Sequence, residues 1–138
     1  RRYIPLETIL EGINGLPITM EFRVFVCNGF MVDNGYYWSS HALDVKEKLG
    51  TIPDLNKIND HKVWGLLQRV ATIISAQPNA PMFYTIDIAK RTDGNWMVVE
   101  LNDGQMAGLS EVNPDNFYRL LKESLKPIEE KGGKLAPQ

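Results

Sequence analysis

At 138 residues and 15.7 kDa the chain has the length of one ordinary domain, too short for a complete two-domain enzyme. Hydrophobic residues make up 43% and charged residues 23%, enough apolar material for a core, which excludes a disordered or fibrous chain. With 15 Lys and Arg against 17 Asp and Glu the net charge is -2, so the broad basic field of a nucleic-acid-coating protein is absent.

Cys27 is the one cysteine, so no intrachain disulfide and no Cys-x-x-Cys knuckle can form. That usage fits a reducing, cytoplasmic setting. No apolar run approaches the roughly 20 residues of a membrane span, and no stretch resembles a signal peptide. The chain opens at Arg1-Arg2-Tyr3 without an initiator methionine and reads as a piece of a longer protein.

In chain order, residues 19–27 alternate. Met20, Phe22, Val24 and Val26 fall on one side and Glu21, Arg23, Phe25 and Cys27 on the other, the period of a half-buried strand. Asn28-Gly29 supplies the two positive-φ positions of a type I′ hairpin turn. Residues 30–32 then return antiparallel, and residues 36–38 continue after a second turn at Asp33-Asn34-Gly35. A short helix over 42–49 stops at Gly50, and residues 53–60 read as loop. Over 61–76, Val63, Leu66, Leu67, Val70, Ile73 and Ile74 recur at helical spacing, which predicts an amphipathic helix packed on the sheet. Strands over 82–90 and 96–102 flank Thr92-Asp93-Gly94-Asn95. A second helix starts with Asn113 as cap and Pro114 at the first helical position and runs to about Leu125; a charged tail follows. The expected fold class is α+β, an antiparallel sheet with two principal helices.

The last hairpin carries the chemistry. If Asp93-Gly94 is a two-residue turn, Asp87 lies opposite Glu100 and Thr85 opposite Asn102, all on one face, while Ile86, Ile88, Val99 and Leu101 anchor the other face to the core. Two facing carboxylates repel unless a cation or proton lies between them. Magnesium suits the pair, being a hard cation that takes one or two carboxylates and leaves positions for water and phosphate, and Asn102 adds an amide oxygen. The alternative is a solvated face with Lys90 or Arg91 screening the acids.

The stretch from Tyr84 to Gly104, Tyr-Thr-Ile-Asp-Ile-Ala-Lys-Arg-Thr-Asp-Gly-Asn-Trp-Met-Val-Val-Glu-Leu-Asn-Asp-Gly, resembles the metal-binding hairpin of the ATP-grasp superfamily, in which an aspartate is followed after a turn by Glu-x-Asn. The resemblance implies that Asp87, Glu100 and Asn102 ligate magnesium ions bridging ATP phosphates. Upstream, the stretch from Glu21 to Gly29 is similar to the family's Glu-containing strand, which implies that Glu21 approaches the ribose or nearby phosphates and that Arg23 meets phosphate as a catalytic cation. In that role Arg23 would contribute little to thermal stability. Arg1-Arg2-Tyr3-Ile4-Pro5 resembles the hinge strand whose backbone holds adenine, which brings in Tyr3 and Ile4. Gly104, after the metal strand, offers an amide to phosphate as readily as it makes an ordinary loop. Many relatives carry a basic residue two positions before the hairpin aspartate, where this chain has Thr85.

The resemblance covers the second half of an ATP-grasp core. It therefore implies a C-terminal lobe over residues 1–125, a tail over 126–138, and a partner lobe bringing lysines and a glycine-rich loop over the phosphates. The implied activity is ATP- and magnesium-dependent ligation of a carboxylate to an amine or thiol through an acyl phosphate. The alternatives are a metal-dependent nuclease, which wants lysine at the place of Asn102, and a non-catalytic nucleotide-binding module. Ser39-Ser40-His41 and His61 have no acid at a diagnostic spacing and read as loop or helix-start residues.

Overall fold

The computed structural model describes residues 3–130, so Arg1, Arg2 and residues 131–138 lie outside the described residues. The elements run β1 (Thr8–Glu11), β2 (Pro17–Thr19), β3 (Glu21–Cys27), β4 (Phe30–Tyr36), α1 (Ala42–Leu49), α2 (His61–Ser75), β5 (Phe83–Lys90), β6 (Trp96–Asp103) and α3 (Pro114–Glu130). β1 and β2 pair as a small antiparallel ribbon, and the other four strands form an antiparallel sheet in the order β4-β3-β5-β6. The α+β class expected from the sequence is the one observed. Among the described residues no helix is long and apolar enough to cross a membrane.

β3 lies inside the sheet and is buried on both faces, not half-buried as its alternation implies. One face, Phe22, Val24 and Val26, joins Ile86 and Ile88 of β5 and Val63 and Leu67 of α2 in the main core. The other face ends in Phe25 and Cys27, which pack with Val32, Val112 and Phe117 in a second cluster. Phe25 and Phe117 meet edge to face with ring centroids 4.8 Å apart. Each such large side chain taken from water contributes roughly 1.5–3 kcal/mol, so α3 is held by its own core. A short alternating strand cannot disclose that a later helix covers its second face.

The local signals mostly hold. Asn28 and Gly29 have φ of 53° and 79°, as a type I′ turn requires, and Gly50 ends α1 with φ of 78°. The Asp60 carboxylate accepts from the Lys62 N–H at the start of α2, and the Asn113 side chain accepts from the Asn116 N–H at the start of α3. Ile73, expected on the apolar stripe of α2, is instead exposed, while Ala71 is buried. α3 continues through Pro127 to Glu130, past the expected end near Leu125; the missing proline N–H removes one helical bond without stopping the helix.

Asp33-Asn34-Gly35 makes no second turn. β4 runs straight through it, and the irregularity is a bulge at Val32. Gly35 is there for close approach: a Cβ at that position would stand 2.7 Å from the Val112 backbone nitrogen and 2.9 Å from the Glu111 carbonyl carbon. Gly35→Ala is therefore expected to cost about 1–3 kcal/mol in chemical denaturation, the scale of overpacking. A loss below about 0.5 kcal/mol would mean that the 111–112 backbone moves away freely.

Candidate active site

The hairpin register arrives by an unexpected route. Near the turn the strands pair Lys90 with Trp96, Ala89 with Met97 and Ile88 with Val98, a register offset by one residue from that of a two-residue turn. The connection has three residues, 92–94, with Gly94 at φ of 82° and the Arg91 N–H donating to the Asn95 carbonyl at 2.7 Å. A bulge at Val99 then shifts the register back, so Asp87 does face Glu100 and Thr85 does face Asn102. Val99 and Leu101, expected to anchor the hairpin, are half-exposed at 46% and 49%, because β6 is the sheet edge; Val98 packs on the core instead.

Arg23 of β3 lies directly opposite Asp87 on its other side, so three charged residues cross the sheet in line: Arg23, Asp87, Glu100. The guanidinium holds Asp87 in a two-pronged pair, Nε to Oδ1 at 2.9 Å and NH2 to Oδ2 at 2.7 Å. Its NH1 donates to the Gly108 carbonyl at 3.1 Å, and its centre lies 5.1 Å from the centroid of the Tyr37 ring. Asp87 is 1% exposed and Arg23 9%. The cation that neutralises Asp87 is thus Arg23, on the side of Asp87 away from Glu100. Lys90 pairs with Glu7 and Arg91 with Asp93, so neither screens the facing carboxylates.

Arg23 is accordingly a buried ion-pair partner, so its removal is now expected to cost stability. Glu100 is exposed and, among the described residues, has no ion-pair partner. Asn102 borders a mostly apolar cavity of about 370 Å³ shared with Ile74, Tyr84 and Leu101. Opposite Asn102 in register, the fully buried Thr85 hydroxyl has no hydrogen-bond partner among the described residues. The candidate oxygens lie at alternate register positions, Asp87 with Glu100 and Thr85 with Asn102, and are of the hard type that magnesium takes, while among the described residues no three His, Cys, Asp or Glu side chains cluster around one point.

Glu21 shares the face of Arg23 two residues away, opposite Ala89, and is 6% exposed. Its carboxylate accepts from the Thr19 hydroxyl at 2.7 Å, and that hydroxyl in turn accepts from the Trp38 indole N–H at 3.0 Å. Burial pushes the Glu21 carboxyl above the ordinary carboxylate range, against the lowering effect of the Thr19 hydrogen bond, and the Asp87 charge adds to the rise. Between the ordinary value and the raised one the folded chain holds more protons than the unfolded, so stability falls as pH rises through that window. Glu21→Gln, which keeps an acceptor for Thr19, is expected to melt a few degrees above the parent at pH 7, a gain on the order of 1 kcal/mol that vanishes near pH 4. Melting curves across that range check it, and a lower melting temperature at pH 7 would contradict it.

Tyr3 is exposed and Ile4 half-exposed. The segment just after them docks on the far end of β5: Thr92 N–H donates to the Pro5 carbonyl, Leu6 bridges Arg91, and Glu7 N–H donates to the Lys90 carbonyl. The Gly104 N–H is engaged by the Phe83 carbonyl at 3.3 Å, and a Cβ there would stand 2.7 Å from the Phe83 ring, so this glycine permits tight packing. Sequence reasoning missed three contributors: Tyr37, the Gly108 carbonyl and the Thr19–Trp38 pair. Backbone carbonyls and ring faces have no sequence signature of their own.

A family model described as an ATP-grasp domain, R2K clade family 3, matches residues 1–121 of this chain. No curated protein and no solved structure matches it.

Proposed function

The chain belongs to the ATP-grasp domains of R2K clade family 3, and from that membership we propose that it supplies the metal-holding face of an ATP- and magnesium-dependent carboxylate ligase. The observation that carries the reading is an order along one sheet face. The segment at residues 5–7 sits at the Lys90–Thr92 end, Glu21 comes next opposite Ala89, then Arg23, Asp87 and Glu100 in line, then Thr85 and Asn102. At about 3.3 Å per residue, the four steps from Arg91 to Asp87 cover about 13 Å, the scale of an extended nucleoside triphosphate.

In this reading the backbone of Tyr3 and Ile4 faces the adenine, Glu21 the ribose, and Arg23 the phosphates, while Asp87, Glu100 and Asn102 would hold magnesium. When bound, magnesium neutralises charge on the phosphate oxygens. The chain's own residues fix where that charge sits and supply a guanidinium for the phosphoryl oxygens, positioning rather than covalent chemistry. Such a ligase joins a substrate carboxylate to an amine or thiol by way of an acyl phosphate. A second lobe with lysines and a glycine-rich loop covers the phosphates in this proposal. Cys27, buried and free, accords with the cytoplasmic setting proposed for it.

Calorimetry with ATP and magnesium tests the reading. With the phosphates uncovered, this chain should bind with Kd weaker than about 100 µM, or about -5.5 kcal/mol, and chelation of the metal should abolish the heat. Metal-independent binding, or none at millimolar nucleotide, would contradict it.

A further inference from the structure

We propose that Arg23 neutralises Asp87 in the ligand-free protein, tethers Gly108 to it, and exchanges Asp87 for ligand phosphate when a divalent cation arrives. The inference rests on the nucleotide reading above and adds to it a competition between an internal cation and an external one. The premise is burial. Asp87 is 1% exposed and both its oxygens accept from one guanidinium, so a divalent cation that reaches the carboxylate meets a positive charge already paired with it.

Opening the fork has a second consequence. The segment from Gly104 to Val112 crosses the face from the end of β6 to the edge at β4, fixed at one end by the Gly104 N–H on Phe83 and at the other by the Glu111 N–H on Tyr36. Between these anchors Arg23 reaches the Gly108 carbonyl, so the residue that pairs with Asp87 also pins the middle of the segment. A freed guanidinium offers Nε–H and NH2 donors spaced for two oxygens of a phosphate, the same geometry it presents to a carboxylate. One side chain therefore links metal arrival, phosphate capture and the position of the 105–109 backbone.

The competition gives opposite signs with two probes, which a merely structural arginine would not. Arg23→Gln removes the internal cation, so manganese alone should bind at least about fivefold more tightly than to the parent chain, the lower end of the range for coupled sites. Manganese with ATP should bind the same variant no more tightly, because the phosphate loses its guanidinium. Amide exchange at residues 105–109 should quicken in the ligand-free variant. Arg23→Lys, which keeps a charge without the fork, gives the same arms if the glutamine variant fails to fold; it should quicken exchange at 105–109 and shift manganese affinity less. If manganese leaves the Glu100 and Asn102 resonances of the parent chain unaffected, the nucleotide reading fails and the competition with it. If it broadens them but Arg23→Gln or Arg23→Lys binds manganese no better than the parent, the competition alone is overturned.

Discussion

Arg23→Met is expected to cost the fold about 3–5 kcal/mol, the usual result of leaving a buried charge without its partner. Asp87 would keep its burial and lose both hydrogen bonds to its carboxylate. Neither residue of the pair is exposed enough for solvent to stand in. The fall in Tm should be on the order of 10 °C for a chain of this size. Arg23→Met with Asp87→Leu removes the second charge as well and should recover most of the loss, since a buried pair often exchanges for apolar side chains at little net cost. Chemical denaturation of parent, single and double variants checks both statements. A double variant as unstable as the single one would shift the weight to the Gly108 and Tyr37 contacts.

Glu100→Gln separates catalysis from stability. Glu100 is exposed and without an ion-pair partner among the described residues, so the variant should fold within about 0.5 kcal/mol of the parent. The repulsion from Asp87 that the sequence implies is largely cancelled by Arg23 on the far side. In the complete ligase proposed above the same change should lower turnover at least about tenfold, or about 1.4 kcal/mol in the barrier, because the charged ligand proposed for the metal becomes neutral. Asn102→Ala should weaken metal binding less than either acid substitution, since it removes a neutral donor. Full activity with unchanged magnesium dependence in Glu100→Gln would take the hairpin out of the metal site.

What the sequence made legible was local. The type I′ turn at Asn28-Gly29, the stop at Gly50, the Asn113 cap and the α2 helix each follow from a few neighbouring residues. The pairing of Asp87 with Glu100 was legible too, though by two errors that cancel: the turn has three residues rather than two, and the Val99 bulge restores the register. A bulge in an edge strand of apolar residues leaves no mark in the sequence. The partner of Asp87 stayed hidden because Arg23 stands 64 positions away and becomes its neighbour only through the strand order β4-β3-β5-β6. Asp33-Asn34-Gly35 misled for a related reason: its turn chemistry is real, but Gly35 serves the close approach of Val112 from a distant loop. Burial of the second sheet face, under α3 at Phe25 and beside the Gly108 segment at Arg23, is likewise tertiary, and of the candidate metal ligands it leaves Glu100 and, in part, Asn102 accessible.

Paramagnetic line broadening by manganese with ATP on the isotope-labelled chain locates the metal most directly. The Glu100 and Asn102 resonances should be lost first at low metal, those of Asp87 and Arg23 should follow as ATP is added, and all should recover when magnesium displaces the manganese. Broadening that centres elsewhere, or that persists unchanged in the doubly substituted Glu100→Gln, Asn102→Ala chain, would contradict that placement of the metal.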